Sequence, residues 1–209
     1  MLETAIVAFT TFFATIGPVS IAVIFAVMTH DSKASIKKSM AIRGCMIASF
    51  ILISFALAGE TLLYALGISL AALKVSGGIL LLLVAIDMVF ARSSGVSSTT
   101  DEENEEALEK EDISVFPLAT PLIAGPGSMG ASILLMANAE SDLTTQGIVI
   151  VALLSVLLIT LVLLLVASKV QRLLGVTGMQ VVSRVFGVLL SALAVQFMFN
   201  GLQQSGLLN

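Results

Sequence analysis

The sequence predicts an all-α membrane protein: six transmembrane helices as two inverted three-helix repeats, with helices 1 and 4 broken. Hydropathy, the placement of charge and a repeated pair of signatures carry that prediction. The 209 residues are 57% hydrophobic and 11% charged, with a mean hydropathy of +1.08. A soluble domain carries about twice that charged fraction. Charge is also absent from long windows: 4–29, 113–139, 143–168, 185–209 and, interrupted only by Glu60, 44–73. Each exceeds the roughly 20 apolar residues that a helix needs to cross a bilayer. This composition excludes a soluble enzyme, a nucleic-acid binder and a disordered chain.

Taken in order, the apolar windows place helices at about 4–29, 41–60, 70–91, 115–138, 146–168 and 183–205. They are too long and too uniformly apolar for barrel strands. A spanning segment must satisfy its own backbone polar groups, which leaves helices. The connections then alternate in charge. Lys33, Lys37, Lys38 and Arg43 follow the first span, Arg92 and Lys110 the third, and Lys169, Arg172 and Arg184 the fifth, while the other side holds only Lys74. Nine basic residues against one put the first side in the cytoplasm and both termini outside. The N-terminus has no basic n-region and no small-residue cleavage site, so the first span is expected to be retained.

Residues 92–113 begin small and polar and end in a run with eight acids between positions 101 and 112. This acidic cytoplasmic linker separates a first repeat, 1–91, from a second, 114–209. It is expected to be solvated and flexible, the alternative being a regulatory or partner-binding tail. One cysteine, Cys45, and one histidine, His30, leave no material for an intramolecular disulfide framework, a zinc cluster or a His-rich metal site. No cofactor is expected. Paired intramembrane acids, His-Glu-x-x-His and Cys/His pairs are missing too, so the chain is not expected to be an enzyme.

Two signatures recur. Ile16-Gly17-Pro18-Val19-Ser20 resembles Ala124-Gly125-Pro126-Gly127-Ser128, 108 residues on, and Gly78 with Asp87 nine residues later matches Gly187 with Gln196, 109 residues on. Three is an odd number of spans, so a tandem copy enters the membrane upside down. Secondary transporters commonly have that architecture.

Gly17-Pro18 and Gly125-Pro126-Gly127 fall near the middle of their windows. Proline interrupts a helix and suits the first turn of a new one. Each span is therefore expected to be two half-helices, restarting after Pro18 and after Pro126, with N-termini aimed at the midplane from opposite sides. Such ends carry unpaired N–H groups and partial positive charge, and attract an anion or a carboxylate. Thr15, Ser20, Thr120, Ser128 and Thr11 lie close enough in sequence to add hydroxyls. The plainer alternative is a pair of kinks that only assist packing. Pro117 and Pro121, nearer the start of span four, are expected only to kink it.

Gln196 and Asn200, one turn apart in span six, line the site or form interhelical hydrogen bonds. Asp87 is a candidate for proton coupling, because a charge inside a span is costly without a partner or a cavity. Its alternative is an interfacial acid reaching water or Arg92, five residues away. Gly77-Gly78 and Gly187 are expected to permit close helix contact, and Glu60 to be solvated.

The stretch Pro117-Leu118-Ala119-Thr120-Pro121-Leu122-Ile123-Ala124-Gly125-Pro126-Gly127-Ser128 resembles the second-half signature of the MarC family. So do Gly67-Ile68-Ser69 with Gly77-Gly78, and Ser183-Arg184-Val185-Phe186-Gly187 leading to Val195-Gln196-Phe197 and Asn200-Gly201. The resemblance covers nearly the whole chain. It implies a six-span protein of the cell inner (cytoplasmic) membrane. For members similar to SnatA it implies transport of small neutral amino acids such as glycine and alanine, driven by the proton gradient. The first half departs from the pattern. Where the family often has Asn/Asp-Pro-x-Gly-Asn-x-Pro, this chain has Ala14-Thr15-Ile16-Gly17-Pro18-Val19-Ser20, with the glycine kept and the proline moved.

The expected function is a multi-pass secondary transporter working by alternating access. Gly17, Pro18, Gly125, Pro126 and Gly127 hold the substrate carboxylate. Thr15, Ser20, Thr120, Ser128, Gln196 and Asn200 set its orientation, and Asp87 carries the coupled proton. The alternatives are a channel for a small neutral solute or anion and a non-transporting scaffold. The expected partners are the lipid bilayer and a small neutral amino acid, with no nucleic acid; no pattern sets an oligomeric state.

Overall fold

Each apolar window predicted to span is helical in the computed structural model, which describes residues 1–29, 32–90, 112–139 and 142–206. Expectations for the linker over 92–111, for His30, and for the Glu60 and Arg172 side chains lie outside the described residues. The helices are α1 (Leu2–Ile16), α2 (Pro18–Met28), α3 (Ala34–Ala65), α4 (Leu70–Phe90), the wide-turned α5 (Ser114–Ile123), α6 (Pro126–Ala137), α7 (Leu143–Leu165) and α8 (Ala167–Gln204). There is no strand among the described residues.

Helix α3 runs to Ala65, five residues past its expected end, and two helix starts differ more from the sequence expectation. Helix α3 starts at Ala34, seven residues before its apolar window, and α8 starts at Ala167 although only Arg184–Gln204 is apolar enough to cross a membrane. Hydropathy marks the part of a helix that meets hydrocarbon, whereas helix propagation needs only the next backbone bond. Polar, lysine-bearing turns therefore extend the helix beyond the lipid-compatible window. Helix α7 begins where Asp142 accepts the Thr144 and Thr145 backbone N–H groups at 3.3 and 3.0 Å, satisfying donors that the first turn leaves over.

Glycine contacts fix the directions of the spans. A Cβ on Gly44 of α3 would lie 2.6 Å from Leu118 Cδ2, and one on Gly59 would lie 2.7 Å from Ile133 Cγ1. As α3 advances by those 15 residues, about 22 Å of helix, its neighbour advances from α5 to the end of α6. The two therefore run parallel. The pair α5–α6, bent by 55°, follows α3 in one direction and makes a bent sixth span beside five other candidates, the first of which is α1 and α2 together. Helix α4 runs the opposite way to α6, with Gly77 against Leu134 and Val84 against Gly127. It is also antiparallel to α8: Gly78 lies against Ala194 and Met198, and Gly187 against Met88 and Val89. Small residues let membrane helices approach this closely. Gly77, Gly78 and Gly187 are used as expected. Gly201, packed on Ala71 and Lys74, continues the same seam.

Helix α6 lies at the centre of the bundle. Gly127, Ser128, Ala131, Ser132, Leu134, Leu135, Met136 and Ala137 are all buried on it. It packs against α1, α3 and α4. Outward-facing Phe50, Leu57, Leu158 and Val188 are each more than half exposed, as befits side chains whose solvent is lipid rather than water.

Candidate functional site

Both predicted breaks are present, and each is built differently. Gly17 ends α1 in the left-handed conformation (φ 65°, ψ 56°), and its N–H donates to the Phe13 carbonyl at 3.0 Å. This is the termination that glycine adopts at little cost. Pro18 is itself the first residue of α2, so the helix restarts at the proline rather than after it. The Ile21 N–H bonds the Gly17 carbonyl at 3.1 Å. The two halves continue as one apolar span over Leu2–Ala26.

Span four is more disrupted. Phe116 (φ −129°, ψ 127°) and Thr120 (φ −132°, ψ 129°) are extended inside α5. Each precedes a proline, whose ring disfavours helical geometry in the residue before it. The hydrogen bonds widen to five residues, Leu118 N–H to Ile113 O at 3.1 Å and Ala124 N–H to Ala119 O at 2.8 Å. The bonds to Pro117 and Pro121 are cis. These prolines thus do more than kink the start of the span; the whole of α5 is reshaped around them.

At the second break Gly125 is extended (φ −91°, ψ 173°), and a Cβ there would lie 2.6 Å from the Pro121 carbonyl oxygen. Pro126 opens α6. Ser128, three residues into the turn, accepts the Gly125 N–H at 3.0 Å and donates to Ile123 O at 2.8 Å. Its hydroxyl is spent on holding the break.

The remaining predicted residues are distributed as follows. Pro18, Gly125, Gly127 and Ser128 are buried, Thr15, Gly17, Ser20 and Thr120 are half-buried, and Pro126 is exposed. The Thr15 hydroxyl donates to Thr11 O at 2.8 Å and that of Thr120 to Val115 O at 3.3 Å. Thr11 is fully buried six residues before Gly17, and among the described residues its hydroxyl has no hydrogen-bond partner. A buried unpartnered hydroxyl is rare enough to require a reason.

Asp87 is half-buried on α4, three residues beyond Val84, the side chain against Gly127. That is one turn of helix. On its other flank Met88 and Val89 receive Gly187 of α8, and the adjacent Phe186 ring meets Phe13 of α1 with centroids 4.5 Å apart. The first turn of α6, the turn bearing Asp87, and the end of α1 therefore form one connected neighbourhood. Gln196 and Asn200 are not part of it. Their level on α8 is that of Gly78, nine residues, about 13.5 Å, from Asp87. Gln196 is exposed, and its Nε2 donates to Asn200 Oδ1 at 2.9 Å.

The Phe13–Phe186 pair and the burial of Lys74 are not evident from sequence spacing. A cation inside the window 70–91 is the one signal that Lys74 offers. Among the described residues no group of three His, Cys, Asp or Glu is placed to hold a metal ion.

Five apolar spans, a bent sixth pair and breaks at Gly17 and Gly125 define a multi-pass integral membrane protein. The chain matches the MarC family of integral membrane proteins over residues 2–205 and belongs to that family. It is 39% identical to a UPF0056 membrane protein of Methanocaldococcus jannaschii, over 97% of each chain. It is 31% identical to the UPF0056 membrane protein YvbG of Bacillus subtilis, over 93% of this chain and 92% of the relative. It is 32% identical to YhcE of Escherichia coli K12, over 94% and 92%. No solved structure matches the chain.

Proposed function

We propose that this protein is a secondary transporter of small neutral amino acids in the cell inner membrane, non-enzymatic, with the lysine-rich side in the cytoplasm and both termini outside. The observation that carries the reading is the pair of breaks. Helices α2 and α6 both start at a proline after a glycine, and they run in opposite directions, because α1–α2 follows α7, α3 starts where α7 ends, and α6 is parallel to α3. Their N-termini offer backbone donors and partial positive charge to a carboxylate. The unpartnered Thr11 hydroxyl supplies a further polar group near the first break. Gly17, Pro18, Gly125, Pro126 and Gly127 shape the site. Thr15, Ser20 and Thr120 lie beside it, while Ser128 acts by fixing the backbone. Gln196 and Asn200 take a place along the pathway rather than at its centre.

Alternating access by two inverted repeats is supported by reciprocal packing. Gly78 receives Met198, and Gly187 receives Val89. Both members of the first pair map onto the second by the same offset of 109 residues. A two-fold relation between the halves produces such swapped contacts, and it supplies two similar packings between which a carrier rocks.

The test is uptake into proteoliposomes. Saturable accumulation of glycine or alanine driven by a pH gradient is expected, and Gly125→Leu should abolish it without preventing membrane insertion. Passive equilibration without counterflow would instead indicate a channel. Absence of any flux would indicate a scaffold.

A further inference from the structure

Thr11 is near the first break along the chain, but its packing puts it beside the second. It lies nine residues, about two and a half turns, from exposed Leu2, so it faces the opposite way, into the bundle. There α1 packs on α6. Two sides of α6 are already taken: Gly127 and Leu134 meet α4, and Ile133 meets α3. The buried side left for α1 carries Ser128, Ser132 and Leu135. The levels agree. The Phe13 ring meets Phe186, whose neighbour Gly187 packs on Met88, and Val84, about one turn from Met88, packs on Gly127. This chain of contacts brings Thr11, two residues before Phe13, level with the first turn of α6.

The other hydroxyls of this seam are spent inside their own helices or on the break. Thr15 donates to Thr11 O at 2.8 Å, Ser128 to Ile123 O at 2.8 Å and Ser132 to Ser128 O at 2.9 Å. The Thr11 hydroxyl is fully buried and unspent. The first turn of α6 has spare donors as well. Met129 is its first residue to donate along the helix, to Gly125 O at 2.9 Å, and Pro126 has no N–H. The N–H groups of buried Gly127 and Ser128 are left without an acceptor among the described residues. Three buried donors on one side of α6 call for a shared acceptor.

We propose that Thr11 is a substrate-binding residue: the carboxylate of the amino acid accepts hydrogen bonds from the Thr11 hydroxyl and from the Gly127 and Ser128 N–H groups. The inference rests on the transport reading and sharpens it, because it seats the carboxylate on the second break and not equally on both. The first break contributes the opposite polarity. Pro18 has no N–H to give the Ala14 carbonyl, so the end of α1 keeps an acceptor for the substrate ammonium.

The experiment titrates the purified full-length protein with L-alanine and with L-alaninamide, which keeps the ammonium and lacks the carboxylate, and records melting with and without ligand. Thr11→Val keeps the shape and deletes the hydroxyl. Without ligand it should melt at or above the parent, since an unpaired buried polar group is removed. It should nevertheless bind alanine at least about tenfold more weakly, and Thr11→Ser should restore most of that affinity. Alaninamide should shift neither protein. Alanine affinity unchanged in Thr11→Val overturns the inference and leaves the transport reading standing. A lower melting temperature in Thr11→Val, with no rescue by Thr11→Ser, makes the residue a packing group and overturns it too. Alaninamide binding as tightly as alanine overturns the carboxylate assignment. A parent that binds no amino acid overturns the inference together with the transport reading.

Discussion

Gly127 packs against Val84 so closely that a Cβ on the glycine would lie 3.1 Å from Val84 Cγ2. This contact joins the first turn of α6 to α4 one turn before Asp87. In Gly127→Ala two effects oppose each other: helix propensity favours alanine by about 1 kcal/mol, and overpacking costs about 1–3 kcal/mol. The sign of the single variant is therefore less informative than its coupling to Val84→Ala, which removes the obstructing methyls. Thermal melts of the four proteins should show a coupling of at least about 0.5 kcal/mol, with the double variant more stable than the sum of the singles implies. Strict additivity would mean that the two residues do not meet.

The second break depends on a hydroxyl. Ser128→Ala leaves the buried Gly125 N–H without its acceptor, and should cost about 1 kcal/mol, the usual loss when such a cap is removed. Gly130, two residues on, has no atom of another element within 4 Å of where its Cβ would be, among the described residues. Gly130→Ala should therefore be neutral or stabilising. The comparison is made by melting both variants without any amino acid present. A Ser128→Ala protein as stable as the parent would return that hydroxyl to substrate contact.

Much of this arrangement is written along the chain, because lipid acts as a solvent with one demand. Stretches such as 70–91 and 143–168 have no viable form in hydrocarbon except the helix. The restart of α2 and α6 is legible for a similarly local reason, since proline tolerates only the first turn. What lies between helices is not local. Spacing alone places Gln196 and Asn200 on one face of α8, but only packing decides that this face points outward. Nor does spacing reveal that the Ser128 hydroxyl turns back onto its own backbone, or that Pro126 is exposed. In α5 the prolines were visible, but their effect falls on Phe116 and Thr120, the residues before them.

Acid should loosen the junction before α5. Asp112 is held below the ordinary carboxylate range by Ser114, whose backbone N–H donates to its Oδ1 at 2.9 Å, and then by the Arg43 guanidinium, 2.7 Å from its Oδ2. A carboxyl depressed in the folded state adds stability that is complete above its unfolded pKa of about 3.9. That stability is lost as the pH falls through the lower folded value. The melting temperature should therefore decline below about pH 4, and less steeply in Asp112→Asn. Arg43 is well exposed, so its share is small and is reduced further by salt. A pH profile identical in parent and Asp112→Asn would remove the linkage.

Asp87 offers the sharpest test of the proposed proton-driven transport. It sits between the Gly127–Val84 contact and the seam where Gly187 meets Met88 and Val89. A change in its charge is therefore felt both at the first turn of α6 and at the interface between α4 and α8. A carrier that takes a proton with its substrate needs a group protonated on one side and released on the other, and a neutral amide at that position cannot cycle. Asp87→Asn should abolish accumulation driven by a pH gradient while leaving counterflow exchange of labelled for unlabelled alanine intact, because exchange requires substrate binding and rocking but no net proton movement. Loss of both activities in a well-folded variant would make the carboxylate a packing or substrate group. Full gradient-driven uptake would show that the proton, if one is carried, travels elsewhere.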